Sequence, residues 1–357
     1  MSTNPDTCVD ETVVRNGLSF PFGLQRVHAE PVMVTPEVMW LQVPLSASSM
    51  GFINTWALRD GDGWAVVDVG MDTPAGAQRW AELVLPDGPL GGAPTRIIGT
   101  HMHADHVGYA GELYRRHGCE LWMTRGEYLQ AKQMIEDYAR PTLPEHLRFF
   151  RQAGWSDEML AGYAAFGKSM APLPGQYRRM REGDVLAVGD QCWQVITTCG
   201  HSPEHACLYN AAQQLLIGGD QVLADVSSNV SVMPVEPWAN PMKDWLNSLQ
   251  KMATLFDEDV LVLPAHGAPF RGLPERARQL ATKRLRALDR LRDHLRENGP
   301  QRALDVYPAL FSPGSFANPF LHTLATGEAL AYLNHLLGDG QARVQADAQG
   351  VNWYELV

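Results

Sequence analysis

The sequence predicts an α/β layered fold. Short apolar runs alternate with stretches of helical spacing. Several of those runs end on glycine beside histidine or aspartate, the pattern of a sheet whose strand-end loops carry chemistry. The chain has 357 residues, 45% of them hydrophobic and 19% charged, enough apolar material for one large domain with an appendage or for two domains.

Taken in order, residues 1–31 show no clear periodicity and several Pro/Gly breaks, and are expected to be a tail or an arm packing on a neighbour. Residues 38–45 and 52–58 read as strands, 59–63 supplies a tight hairpin turn, and 64–69 returns as the paired strand. Asp68 ends that strand, as a structural residue or as an acid that orients a ligand histidine. Residues 73–85 have helical spacing, 86–94 form a Gly/Pro-rich loop, and 96–99 a strand. A helix over 109–117 stops at Gly118, and 120–123 is a short strand.

From 126 to about 170 the character is helical, with apolar faces over 145–152 and 157–166 and a cap at Ser156 or Asp157. This insertion is placed either to cover a pocket or simply to extend the core. Strands follow at 184–188 and 192–198 around the Gly189-Asp190 turn, then at 206–209 and 214–217. An amphipathic helix over 245–256 precedes a buried strand at 260–263. Beyond Pro274 come a long helix over 275–298, with Leu280, Leu285, Leu288, Leu291 and Leu295 along one face, a second over 320–337, and a hairpin of 341–344 with 351–356. The expected division is a tail or arm at 1–31, a catalytic domain at 32–272 and a C-terminal helical segment at 273–357.

The formal net charge of −11 argues against a bulk nucleic-acid binder. No run of about 18 apolar residues appears, so no membrane span is expected. The first residues lack the basic start and apolar middle of a secretory signal. Five cysteines (Cys8, Cys119, Cys192, Cys199 and Cys207) without a C-x-x-C pair make a disulfide framework unexpected and a cytoplasmic location the default. Assembly as a homodimer is left open.

The densest chemistry is Thr100-His101-Met102-His103-Ala104-Asp105-His106, three histidines and an aspartate in six positions of a chain with 12 histidines. Neutral imidazole and carboxylate are donors for divalent ions. His101 and His103, two apart, point to one side of an extended segment, while Asp105 and His106 approach from the turn that follows. His201, Asp220 and His266 share one local logic: each follows an apolar strand and adjoins glycine. One metal would take His101, His103 and His201; the second would take Asp105, His106 and His266; Asp220 is the natural bridge. Cys199 is expected to be a small buried residue, and His146, His294, His322 and His335 to be ordinary core or surface histidines.

This set resembles the metallo-β-lactamase superfamily, whose H-x-H-x-D-H signature is matched by His101 to His106, and whose later histidine, aspartate and final histidine are matched by His201, Asp220 and His266. The resemblance spans roughly residues 32–272. It implies a four-layer αββα sandwich with a dinuclear site at one edge of the two sheets. One departure is Cys199 before Gly200, where relatives often carry proline. His205 matches a histidine that relatives usually keep outside the ligand set. The C-terminal helices and hairpin resemble the winged-helix-like appendage of thioesterase-like hydrolases and of a lactamase-like endoribonuclease.

Two cations about 3.5–4 Å apart generate hydroxide from a shared water near neutral pH and polarise a carbonyl or phosphoryl oxygen, so hydrolysis is the expected reaction. Asp105 is the expected catalytic residue, able to hold a metal and to accept a hydrogen bond from the nucleophile. Zinc is the expected metal; iron or manganese suits the same donors. A small-molecule thioester, lactone or related ester, as in hydroxyacylglutathione hydrolases, ranks first as substrate. A nuclease or phosphodiesterase ranks second, resting on the arginines of 275–298, which interleaved acids make more readily a solvated face or an internal interface. A non-hydrolytic ligand-binding or redox member ranks third. The loop 225–233, Trp238 and the insertion are expected near the pocket.

Overall fold

A computed structural model describes residues 12–24, 30–45, 51–163, 168–312 and 318–357. Cys8 and the end of the helix expected over 157–166 lie outside these residues.

Within the stretch expected as a tail or arm, β1 (Val13–Arg15) and β2 (Leu18–Phe20) form an antiparallel hairpin. Its turn is Asn16-Gly17, both residues at positive φ, the dipeptide suited to a two-residue hairpin loop. Leu18 and Phe20 are buried against this chain's own core. Next come β3 (Val32–Thr35), β4 (Val38–Pro44), β5 (Phe52–Asp60) and β6 (Gly63–Val67), an antiparallel run. Helix α1 (Pro74–Leu83), capped by the Thr73 hydroxyl, leads to β7 (Arg96–Ile98), which lies parallel to β6. The short α2 (Ala104–Val107) and α3 (Ala110–His117) precede β8 (Glu120–Met123). The helical region then supplies α4 (Arg125–Tyr138), α5 (Pro144–Gln152) and α6 (Asp157–Ala161), the last capped by Ser156. Strand β9 (Arg178–Arg179) completes a seven-stranded sheet in the order β3 to β9.

The second sheet has five strands: β10 (Val185–Val188), β11 (Gln191–Thr198), β12 (His205–Asn210), β13 (Leu215–Gly219) and, after α7 (Pro241–Leu255), β14 (Leu261–Pro264). Only its β13–β14 pairing is parallel. The chain ends with α8 (Leu273–Asn298), α9 (Tyr307–Leu310), α10 (Pro319–Gly338) and the hairpin of β15 (Ala342–Ala346) with β16 (Asn352–Leu356).

Strand periodicity sorts the apolar residues into layers. Val38 and Trp40 of β4 face Trp193, Val195 and Leu208 between the sheets, while Met39, Leu41 and Val43 face outward with Trp80, Leu113 and Tyr128 of α1, α3 and α4. On the other side, Ile196, Cys207, Leu216 and Val262 pack beneath Trp245 and Leu249 of α7 and the apolar faces of α8 and α10. The architecture is therefore the four-layer αββα sandwich. Helices α5 and α6 join this last cluster, and Trp155 Nε1 donates to Thr326 Oγ1 of α10 at 2.9 Å. Among the described residues no helix is long and apolar enough to cross a membrane.

One residue of the α8 stripe needs correcting. Leu285, placed from the sequence on the same face as Leu280, Leu288, Leu291 and Leu295, is 49% exposed. A helix of 3.6 residues per turn gives the buried slot between Leu280 and Leu288 to residue 284, four from each, and Arg284 fills it at 4% exposure.

Candidate metal centre

All seven expected ligands come together at one edge of the sandwich. The topology makes this necessary. Strands β6 and β7 are parallel, as are β13 and β14, and β11, two antiparallel steps from β13, runs the same way. Their C-terminal ends therefore open onto common ground, and the loops there deliver Asp68, His101 to His106, His201, Asp220 and His266. Two of the glycines beside the ligands are required by close approach. Gly200 has φ +111°, and a Cβ on it would lie 2.5 Å from the Trp245 backbone nitrogen; a Cβ on Gly219, φ +51°, would lie 2.4 Å from His205 Nε2.

His101 Nε2, His103 Nδ1 and His201 Nε2 face one another at 2.9–3.1 Å. His106 and His266 surround Asp105 and Asp220 on the other side. His266 Nε2 lies 3.3 Å from Asp105 Oδ2 and 3.6 Å from Asp220 Oδ1, while His106 Nε2 lies 3.8 Å from Asp105 Oδ2 and 3.7 Å from Asp220 Oδ2. Asp220 Oδ2 is also 3.5 Å from His201 Nε2, so its carboxylate touches both halves. Three groups have donor atoms close enough to share an ion: His101 with His103 and His201, His101 with His106 and Asp220, and Asp105 with His106 and His266. His103, Asp105 and His201 retain partial exposure, which opens that side to solvent.

Outer partners decide which ring nitrogen faces inward. His201 Nδ1 donates to the Asn229 carbonyl at 2.8 Å and His266 Nδ1 to the Phe52 carbonyl at 3.2 Å, leaving each Nε2 a lone pair. Asp68 fixes two more. Its Oδ2 accepts from His106 Nδ1 at 2.7 Å and from the Thr100 hydroxyl at 2.8 Å. With its proton committed to Asp68, Thr100 Oγ1 accepts from His101 Nδ1 at 3.0 Å. Asp68, left open between two roles by the sequence, thus orients ligand histidines.

The fit to a cation is tested by what the chain leaves unpaired. His106 Nε2 and Asp220 Oδ1 are buried and have no hydrogen-bond partner among the described residues. A buried polar atom without a partner is costly, and a lone pair beside a carboxylate oxygen is what a divalent ion would satisfy. Electrostatics agrees. Burial, reinforced by the His106 and His103 imidazoles, holds His101 well below the ordinary histidine value; burial and His201 bring His103 down to about 3, and burial lowers His201. These three are neutral donors. At His106 and His266 burial also opposes charge, but the neighbouring carboxylates outweigh it: Asp68, Asp105 and Asp220 raise His106 well above its ordinary value, and Asp220 and Asp105 raise His266. Burial of Asp105 and Asp220 is likewise outweighed by His106 and His266, and both stay ionised. Without metal, protons on His106 and His266 stand in for the missing positive charge.

Other expectations resolve around this centre. His205 is buried, its ring lies 4.9 Å from that of His101, and its Nε2 accepts from the Asp220 backbone N–H at 3.2 Å. Cys199 is part-exposed and belongs to none of the donor groups; its backbone N–H donates to Ser248 Oγ. His146 is buried between Asp137 and Tyr163. Trp238 is exposed. In the loop expected near the site, Ser228 Oγ donates to the Asp220 carbonyl and Asn229 holds His201.

Two supporting residues escaped the sequence reading. Glu127, fully buried at the start of α4, accepts from Met102 N at 2.8 Å, Ser202 Oγ at 2.7 Å and Glu204 N at 2.7 Å, so one carboxylate ties the His101–His103 loop to the His201 loop. Burial pushes it up to about 7 against those hydrogen bonds. Asn54 of β5 donates to the Pro264 and Gly267 carbonyls, bracing the His266 loop from both sides. Neither has a local signal, since each acts on loops distant in sequence; a polar residue in the midst of an apolar strand is the only hint for Asn54.

Comparisons with known proteins agree with this geometry. The family model described as metallo-beta-lactamase superfamily matches residues 49–293, and one described as metallo-beta-lactamase-like, C-terminal domain, matches residues 288–357. A beta-lactamase domain protein from Burkholderia ambifaria of known structure is 36% identical, with a TM-score of 0.86 over 95% of this chain and 98% of that one. A probable metallo-hydrolase, YqjP, of Bacillus subtilis is 24% identical over 78% of this chain and 86% of its own length. The acyl-coenzyme A thioesterase MBLAC2 of Gallus gallus is 27% identical over 64% of this chain and 77% of its own length. The chain belongs to the metallo-beta-lactamase superfamily and is a metallo-hydrolase of that fold.

Proposed function

We propose that this protein hydrolyses a small-molecule thioester or related ester, using two divalent ions, zinc by preference, held by His101, His103, His201, Asp220, Asp105, His106 and His266. The observation that carries the reading is the convergence of these seven side chains, two of whose buried atoms, His106 Nε2 and Asp220 Oδ1, have no hydrogen-bond partner among the described residues. When bound, divalent ions at such a centre lower the pKa of water and polarise a substrate oxygen. The chain supplies the rest. Asp68, Thr100, Asn229 and Phe52 keep four histidines in the tautomer that presents a lone pair. Asp105, part-exposed and kept ionised, offers an acceptor for the proton of the attacking water.

A carbonyl substrate is favoured over a phosphodiester by the state of α8. Arg276 donates to the Leu223 and Val226 carbonyls, Arg284 to Glu328, Arg290 to the Ala309 carbonyl, and Arg278, Arg292 and Arg296 pair with acids. These arginines serve the chain's own contacts, and the net charge of −11 gives a polyanion little attraction. Similarity to an acyl-coenzyme A thioesterase supports the same choice. The test is a panel of acyl thioesters, lactones, a bis-aryl phosphate and RNA, given to metal-loaded protein. Thiol or acid release from the carbonyl compounds, lost in Asp220→Ala, is expected. Turnover of the phosphate or RNA without any of the carbonyl compounds would overturn the choice.

A further inference from the structure

Arg284 sits inside the apolar stripe of α8, and its guanidinium reaches four partners. Nη1 donates to Glu328 of α10 and to Tyr332 Oη at 3.0 Å; Nη2 donates to Ser227 Oγ at 3.0 Å and to the Ser228 carbonyl at 2.7 Å. Glu328 also holds the segment itself, because its other oxygen accepts from Asn229 Nδ2 at 2.8 Å. Two further contacts tie this stretch to α10. Ser231 Oγ lies between Asn229 Oδ1 and the Leu324 carbonyl, and Val232 N donates to the Gly327 carbonyl at 3.0 Å. Segment 227–232 is therefore fastened to the C-terminal helices at both ends of its length.

The same segment touches the metal centre twice. The Asn229 carbonyl fixes His201 through Nδ1, and Ser228 Oγ donates to the Asp220 carbonyl. A buried ion pair is costly to desolvate and is a weak device for stability alone. This one holds, through one short segment, the partners of two ligands drawn from different strands.

We propose that Arg284 and Glu328 are positioning residues for the metal centre: by clamping Ser227, Ser228 and Asn229 they aim His201 Nε2 and seat Asp220, so that the C-terminal segment sets metal affinity. The assignment rests on the reading of the site as a metal centre. It gives the buried arginine a role that neither nucleic-acid binding nor a solvated helix face explains. Outer partners of ligand histidines are worth about 10–100-fold in metal affinity when removed, and that is the effect expected here.

The test is equilibrium titration of the full chain with Zn2+, and with Co2+ for its visible spectrum. It compares wild type with Glu328→Ala, Glu328→Gln and the double variant Arg284→Met with Glu328→Leu. The double variant removes both charges at similar volume, so no unpaired ion is left to unfold the chain. It should melt close to wild type without metal, yet bind about 10–100-fold more weakly with an altered Co2+ spectrum. Glu328→Gln, whose amide oxygen can still accept from Asn229, should recover much of the affinity lost in Glu328→Ala. A folded double variant with wild-type affinity and spectrum would overturn the assignment alone. A wild type that takes up neither ion would sink the metal-centre reading and this assignment with it.

Discussion

Asp68 and His106 link the ligand set to the sheet beneath it. Oδ2 of Asp68 accepts from His106 Nδ1 at 2.7 Å, and both side chains are buried. The same carboxylate reaches His101 through the Thr100 hydroxyl. One acid at the end of β6 therefore assigns the proton of two histidines, one in each half of the centre. Asp68 itself adopts φ +59°, a conformation that asparagine also tolerates.

Asp68→Asn tests that relay with little change of backbone. The amide of this variant has one acceptor oxygen where the carboxylate has two. Turned toward His106, that oxygen leaves the NH2 set against the Thr100 backbone N–H; turned the other way, it leaves the NH2 set against His106 Nδ1, whose proton must then move to Nε2, the atom needed for metal. Metal affinity should fall about 10–100-fold, measured by titration against a chelating indicator. Wild-type affinity in this variant would show that the relay does not set the tautomer.

Metal binding should depend on pH with a definite sign. His106 and His266 are raised above 6.5 in the metal-free chain, so they carry protons that a cation must displace. Affinity should rise with pH by roughly one decade per unit for each proton released, levelling off above their raised values. The metal-free fold should behave oppositely. The stability from these two groups is fully present below 6.5 and is lost as pH rises through the raised values. Melting curves with and without Zn2+ from about pH 6 to 9 measure both trends, and parallel curves would contradict the account.

Glu127 should be the residue whose loss separates the ligand loops. Glu127→Ala leaves the Met102 and Glu204 amides and the Ser202 hydroxyl without their acceptor, at a cost of roughly 3 kcal/mol or more. Its own titration has the acid-raised sign. With a folded value of about 7 against 4.5 unfolded, the native state binds the extra proton, so its contribution to stability falls as pH rises from about 4.5 to 7. Denaturant midpoints for wild type and Glu127→Gln over that range should diverge, the wild type alone showing this slope.

His101 to His106 were legible as a dense run of histidine and aspartate, and His201, Asp220 and His266 because each follows an apolar run and adjoins a glycine, local patterns that strand direction then turns into convergence. Asp68 could be suspected as an acid at a strand end. The Asn16-Gly17 turn was equally local, yet the strands beside it are three residues each, too short for periodicity to register. Glu127 and Asn54 could not be read, because a buried carboxylate or amide acquires its role from loops distant in sequence. Arg284 lay between: helical periodicity places it on the buried face, but its charge reads as surface until Glu328 is brought beside it.

The most direct measurement is the number of ions bound. Purified chain, stripped with chelator and dialysed against Zn2+, should hold two ions per chain by elemental analysis, with the count reduced in Asp220→Ala and in His106→Ala. One ion or none in the wild type under saturating Zn2+, or a full count in both variants, would contradict a dinuclear centre built from these seven residues.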